Sequence, residues 1–170
     1  MINILKSRIL KGVLTRHIDK ELVGQIESSG SELKSLIQRK FGRSLHIREV
    51  DTGSCGACES EIIAANNPIY DLQRFGINFV ASPRHADCLL VTGPVSKNML
   101  IALKKTYAAM AEPKFIITCG DCAFDGGLFK DSYYIEGAVK DIMPQVLHIQ
   151  GCPPNPLQII LSLNAFLQKD

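Results

Sequence analysis

The stretch Cys88-Leu89-Leu90-Val91-Thr92 decides the fold. It is an unbroken apolar run without period-two alternation, the pattern of a strand buried on both faces of a parallel sheet. Working outward, Phe115–Thr118 and Val146–Ile149 repeat the pattern, Leu45–Val50 reads as a first strand, and Ile77–Val80 as a short second one. Helical stretches separate them: residues 58–74, residues 96–111 with Ser96 as N-cap, and residues 156–168 with Asn155 as N-cap and Pro156 at the first helical position. Strands alternating with helices predict right-handed βαβ units and an α/β, doubly wound parallel sheet covered on both faces.

The first 45 residues differ from the rest, being rich in Lys, Arg, Glu and Ser and free of Cys and Pro. Leu33, Leu36, Ile37 and Phe41 recur at helical spacing and predict an amphipathic helix over residues 31–42. Ile2, Leu5, Ile9 and Val13 could line a second apolar stripe. Such a segment either packs on the chain's own core or docks on a partner protein or a membrane surface.

Composition narrows the class. The chain has 170 residues, 46% of them hydrophobic and 21% charged, which favours one globular domain. A net charge of +2 argues against a nucleic-acid binder or a polybasic anchor. No apolar run approaches the ~18 residues of a spanning helix. Lys6, Arg8 and Lys11 interrupt the N-terminal apolar residues, so no signal peptide is expected. A chain of this size buries roughly two-thirds of its unfolded surface and needs no covalent staple, so its six cysteines call for metal or redox chemistry.

Cys55 and Cys58 follow the first expected strand, Cys119 and Cys122 the fourth, and Cys152 the fifth. In an open parallel sheet the carboxyl ends of the strands share one edge, where ligands bind, so these five are brought to one rim. Cys88 lies within a strand and reads as a small buried hydrophobe. An iron–sulfur cube takes four thiolates. Cys55-Gly56-Ala57-Cys58 offers two on a tight turn; the others come from Cys119 or Cys122, and from Cys152 in Gly151-Cys152-Pro153-Pro154. A structural zinc on two CxxC pairs fits less well. The pairs stand about 60 residues apart, against ~15–20 in the usual ribbon, and the Gly-Cys-Pro-Pro turn would be left without a role. A thioredoxin-like dithiol needs fewer cysteines than are present. No GxGxxG or Walker pattern occurs; Asp125-Gly126-Gly127 is the one glycine-rich loop singled out.

Gly53-Ser54-Cys55-Gly56-Ala57-Cys58-Glu59, Ser82-Pro83-Arg84-His85-Ala86-Asp87, Gly120-Asp121-Cys122 running into Gly126-Gly127, and Gly151-Cys152-Pro153-Pro154 follow one another in this order. Together they resemble the small-subunit family shared by NiFe hydrogenases and the 20 kDa subunit of respiratory complex I, over about residues 46–168. The resemblance implies a flavodoxin-like iron–sulfur domain at residues 46–170, with a helical docking extension at 1–45. It implies one 4Fe-4S cluster on Cys55, Cys58, Cys122 and Cys152, with Cys119 a neighbour. The complex I subunit usually has adjacent cysteines at the first motif, and periplasmic uptake hydrogenases a longer, three-cluster chain with a twin-arginine signal. What remains is similar to the small subunit of energy-converting, membrane-bound NiFe hydrogenases and formate hydrogenlyases.

By that resemblance the chain is an electron-transfer subunit without a catalytic residue of its own. It relays electrons between a ferredoxin-like subunit and the NiFe centre of a hydrogenase-like large subunit, held by membrane-anchor subunits on the cytoplasmic side of the membrane. The alternative is a quinone- or sulfur-reducing relative of complex I. Glu59 and Glu61 could assist proton movement, or serve as first-turn helix carboxylates. Arg84 and His85 could touch a neighbouring subunit or raise the cluster potential. His17, His46 and His148 lack metal-ligand spacing and read as structural.

Overall fold

The computed structural model describes residues 19–169, together with Lys6, Leu10 and Gly12. The stripe over Ile2, Leu5, Ile9 and Val13, and His17, lie outside the described residues. In chain order the elements are α1 (Lys20–Phe41), β1 (Leu45–Asp51), α2 (Ala57–Ala65), β2 (Ile77–Phe79), β3 (Cys88–Thr92), β4 (Val95–Ser96), α3 (Leu100–Ala108), β5 (Phe115–Cys119), α4 (Asp121–Asp125), β6 (Ile135–Gly137), α5 (Val139–Ile142), β7 (Gln145–Ile149) and α6 (Pro156–Gln168). The main sheet has the order β2-β1-β3-β5-β7 with every neighbouring pair parallel. This is the flavodoxin-like strand order.

The all-apolar β3 sits in the middle of the sheet, and all five of its residues are buried. Successive side chains serve opposite faces, as the period of two requires. Cys88 and Leu90 join the core under α1, α2 and α6, while Leu89 and Val91 join the core under α3, α4 and α5. On the first face α1 lies against α6, where Ile26, Leu33, Leu36 and Ile37 share a core with Ile159, Ile160, Leu163 and Leu167. Asn164 of α6 donates from Nδ2 to the Ser29 carbonyl at 2.8 Å, a polar tie between the two helices.

Three helix boundaries differ from expectation. α1 begins at Lys20 rather than near residue 31, because Asp19 caps it by accepting from the Glu21 N–H at 2.9 Å. The helix expected to reach residue 74 stops at Ala65, where Asn66 bonds back to the Ile62 carbonyl and the Asn67 side chain accepts the Ile69 and Tyr70 N–H groups. Asx side chains compete with the helix for backbone partners in this way. Ser96 is not a helix cap: it is buried in the two-residue strand β4, paired antiparallel with β6, and its N–H donates to the Thr52 carbonyl. α6 begins as the sequence indicates, with Pro156 at its start and a capping box between Asn155 and Gln158.

Two glycines of α1 differ in surroundings. Gly24 is exposed, with nothing within 4 Å of a Cβ built on it, whereas a Cβ on the buried Gly30 would stand 2.3 Å from the Phe75 ring. Gly24→Ala should stabilise the chain by about 0.5–1 kcal/mol through helix propensity. Gly30→Ala should destabilise it, because overpacking costs about 1–3 kcal/mol and outweighs that gain. Denaturant midpoints of the two variants should move in opposite directions.

Candidate functional site

The strand register sets Asp51, Thr92, Cys119 and Ile149 level at the carboxyl rim. The loops after β1, β5 and β7 converge there, and Cys55, Cys58, Cys122 and Cys152 line one pocket with Gly93, Asp121 and Gly151. Cys55 and Cys152 are exposed, Cys58 and Cys122 partly buried. All six cysteines carry free thiols, and Cys88 and Cys119 are buried in the core.

Local hydrogen bonds shape each loop. After β1, Asp51 Oδ1 accepts the Gly53 and Ser54 N–H groups at 2.8 and 2.7 Å, and Ser54 Oγ accepts the Gly56 N–H at 3.1 Å. The buried Thr52 hydroxyl lies 2.9 Å from the carbonyls of both Thr92 and Gly93, tying this loop to the end of β3. Gly56 takes the left-handed conformation, φ 85°, and turns the chain into α2 so that Cys58 falls in its first turn. After β5 and β7 the two loops clasp each other. The Asp121 N–H donates to the Gly151 carbonyl at 2.9 Å, and the Gly151 N–H donates to Asp121 Oδ1 at 3.0 Å. His148 buttresses the clasp, with Nε2 3.4 Å from Asp121 Oδ1, Nδ1 3.2 Å from Thr118 Oγ1, and its ring stacked on Phe124. The Cys152–Pro153 peptide bond is cis.

Missing side chains make room for two sulfurs. A Cβ on Gly120 would stand 2.6 Å from Cys58 Sγ, and one on Gly127 would stand 2.7 Å from Cys122 Sγ. Both glycines have positive φ, which L side chains rarely adopt. The sequence reading had Gly120 and Gly126-Gly127 as parts of a family-like motif, and Gly126-Gly127 as a glycine-rich loop, but assigned neither Gly120 nor Gly127 the making of room for a sulfur. A glycine directly between Cys119 and Asp121-Cys122 was the available signal.

The thiols are not equivalent electrostatically. Burial raises the Cys122 thiol above its ordinary value; the Cys152 and Cys55 sulfurs add to this, and the Leu128 backbone N–H opposes it. Cys58 is lowered, chiefly by a hydrogen bond with Cys119, against burial and the charges of Glu59, Asp121 and Glu61. Cys119 moves far upward, first through that same bond and then through burial. Burial also raises Cys88. Glu49 is raised by its own burial and by the Glu59 charge. Both carboxylate oxygens of Glu59 are buried without a hydrogen-bond partner, so this first-turn residue of α2 faces inward rather than into solvent. Among the described residues no three His, Cys, Asp or Glu side chains converge tightly enough to hold a single metal ion.

Arg84 and His85 do not approach the rim. Their turn (Pro83–His85) precedes β3, the His85 carbonyl lies 3.1 Å from His46 Nδ1, and both residues line a cavity with Arg43, Glu112 and Pro113 at the amino ends of the strands. The rim at Thr92 stands four residue steps along β3 from Cys88 at its amino end, about 13 Å at ~3.3 Å per residue. The separation exceeds the Debye length of about 8 Å at physiological salt. A direct electrostatic role at the cysteine pocket is therefore not supported for them.

An α/β chain of flavodoxin-like order that gathers four thiols at its carboxyl rim defines a class of doubly wound sheet proteins with a cysteine-lined pocket. The family described as NADH ubiquinone oxidoreductase, 20 Kd subunit, matches residues 55–166, and the chain belongs to it. It is 41% identical over 148 residues to the probable membrane-bound hydrogenase subunit mbhJ of Pyrococcus furiosus, covering 84% of this chain and 89% of that one. It is 40% identical over 131 residues to formate hydrogenlyase subunit 7 of Escherichia coli, covering 77% of this chain but only 51% of the relative, so it spans about half that protein's length. A chain in the structure of the membrane-bound sulfane sulfur reductase, an archaeal respiratory membrane complex, superposes with a TM-score of 0.66 at 30% identity, over 81% of this chain and 75% of that one. A chain of an NAD+-reducing [NiFe]-hydrogenase shares the fold, with a TM-score of 0.58 at 17% identity over 74% of this chain and 92% of that one.

The burial pattern predicts graded thiol reactivity. Brief alkylation of the native, metal-free chain should label Cys55 and Cys152 first, Cys58 and Cys122 more slowly, and Cys88 and Cys119 only after denaturation. Peptide mass spectrometry checks this order.

Proposed function

We propose that this chain is an electron-transfer small subunit that holds one 4Fe-4S cluster on Cys55, Cys58, Cys122 and Cys152. It relays electrons between a ferredoxin-like subunit and the NiFe centre of a hydrogenase-like large subunit. The observation that carries the reading is the convergence of these four thiols, from three separate loops, on one pocket within the family-matched region. The donor set fits: thiolates are the ligands that iron–sulfur clusters take, and a multinuclear group, wider than one ion, asks its sulfurs to stand apart. The glycine gaps at Gly120 and Gly127 fit as well, since they leave the Cys58 and Cys122 sulfurs uncrowded.

When bound, such a cluster supplies one-electron transfer. The chain's own residues do the rest. Cys58 and Cys122 hold the inner side of the pocket, and Cys55 and Cys152 its outer side, open to a partner surface. The Leu128 N–H is directed at Cys122 and eases the negative charge of a ligating sulfur. The Asp121–Gly151 clasp fixes the spacing of the second and third ligand loops. Among the described residues no helix is long and apolar enough to cross a membrane. On this reading the chain sits peripherally, on the cytoplasmic side of a complex whose membrane anchors are other subunits. A sulfur- or quinone-reducing complex is the second reading, and the likeness to the sulfane sulfur reductase chain is the observation that favours it.

Anaerobically purified protein should be brown and carry about four irons per chain. Cys122→Ser should lose the iron while Cys119→Ser keeps it; colourless, iron-free protein that resists reconstitution would sink the cluster reading. A co-purifying large subunit with nickel supports the hydrogenase branch, and a nickel-free one the sulfur- or quinone-reducing branch.

A further inference from the structure

We infer that the outer face of α3, with the aromatic segment that joins it to the cysteine pocket, is a docking surface for an acidic protein, the ferredoxin-like electron carrier. The inference rests on the proposed electron-transfer role for the carrier, and adds to it the surface and the charge that select this partner.

α3 buries Leu103 completely and packs Leu100 and Tyr107 against the core. Ile101, Lys104, Lys105 and Ala108 stand at i, i+3, i+4 and i+7, on one face of the helix, and all four are exposed. Ile101 alone is 63% exposed. No Asp or Glu occurs between Asp87 and Glu112, a stretch that also holds the exposed Lys97. The ammonium groups of Lys97, Lys104 and Lys105 have no ion-pair partner among the described residues. A basic helix face around an exposed isoleucine is thus left without a partner inside the chain.

This face is continuous with the cysteine pocket. Lys97 and Asn98, at the head of α3, are both bonded to Tyr134: the Lys97 N–H donates to its carbonyl at 3.0 Å, and the Asn98 amide donates to its hydroxyl. Tyr133 and Tyr134 lead back to Leu128 and Phe129, in the turn whose Gly127 stands against the Cys122 sulfur. Ser96, just before Lys97, lies against the first cysteine loop, since a Cβ on Gly53 would stand 3.2 Å from it. Among the described residues, five of the nine large hydrophobic side chains left exposed belong to this surface: Ile101, Leu128, Phe129, Tyr133 and Tyr134. Adjoining exposed apolar groups mark protein contacts, in which tyrosine is enriched. The aromatic end carries both signs of charge, with Lys130 beside Asp131, so α3 supplies the charge that selects. Carboxylates on a carrier would be steered to the lysines, while its apolar contact falls beside the pocket.

The test uses the full chain, reconstituted anaerobically with iron and sulfide, and an acidic two-cluster bacterial ferredoxin as the probe. Affinity is measured by interferometry at low and at physiological ionic strength. A carbodiimide, which joins an ammonium directly to a carboxylate, maps the contact by peptide mass spectrometry. Lys104→Glu/Lys105→Glu should weaken binding by about tenfold or more at low ionic strength, and the loss should shrink as salt screens it. Lys20→Glu/Lys34→Glu alters net charge equally, at exposed positions of α1 in the opposite layer, and should leave binding nearly unchanged. Tyr133→Ser should weaken binding alike at both ionic strengths. Cross-links should fall on Lys97, Lys104 and Lys105. All substituted positions are exposed, so the variants should keep the wild-type denaturant midpoint. Equal weakening by the two lysine pairs, cross-links on Lys20 or Lys34, or no binding by the wild-type chain would overturn the inference. A chain that takes up no iron yet binds the probe through Lys104 and Lys105 removes the cluster reading and leaves the docking surface; an iron-loaded chain that does not bind does the reverse.

Discussion

Asp121 and Gly151 exchange two hydrogen bonds, and the shape of the cysteine rim depends on them. One residue follows β5 by two positions and the other follows β7 by two, so the clasp continues the strand pairing past the point where the sheet ends. Cys122 and Cys152 each stand one residue beyond the clasp. Their separation is therefore set by one backbone bond and one bond from the Gly151 N–H to the Asp121 carboxylate, rather than by flexible loop segments. Asp121 can serve because its carboxylate is held in turn by His148, which is fixed by stacking on Phe124. A similar link joins the first loop to the sheet, where the buried Thr52 hydroxyl meets the carbonyls at the end of β3.

A second constraint is what the chain leaves out. Gly93 lies so close to Ser54 that a Cβ would stand 2.5 Å from its backbone nitrogen, and Gly120 and Gly127 face sulfurs at comparable range. Three close approaches within one small region let the loops nest without side chains between them. The polar groups that remain are arranged unevenly. The Leu128 N–H faces the Cys122 sulfur, while Glu59, whose carboxylate oxygens are buried, and the half-buried Glu49 bring negative charge near Cys58 and Cys119. Such a site balances donors that favour negative charge against carboxylates that oppose it.

The sheet was legible because its central strand has no polar residue except its final Thr, and because α6 carries its start signal in consecutive residues, Asn155 and Pro156. The rim cysteines were legible as a group, since hydrophobic pattern sets the strands they follow, but that pattern put Cys119 among them; the choice of Cys122 over Cys119 came from the family resemblance, and Cys119 is the buried last residue of β5. What escaped sequence reading is non-local. α1 runs through Gly24, Ser28, Ser29 and Gly30, a poor helical stretch by propensity, and is held by burial against α6. Ser96 looked like a cap because its partner strand, β6, lies some 40 residues away in sequence. The contact between Cys58 and Cys119 spans about 60 residues and depends on how α2 seats on the sheet. Arg84 and His85 fall away from the rim because the short β2–β3 connection, with its single 3-10 turn at Pro83–His85, returns directly to the amino ends of the strands.

β2 has only three residues and stops level with Ile47, while β1 runs on to Asp51. The sheet is therefore tapered, losing its outer strand before it reaches the rim. Beyond Phe79 one flank of β1 has no neighbour in the sheet, and Arg48 and Glu49 border an open cleft of about 720 Å³ together with Ile62, Ile63, Phe79 and Val80. A doubly wound sheet normally presents its working edge only at the strand tips. Here the taper adds a second approach, from the side, that reaches the back of the α2 helix bearing Cys58.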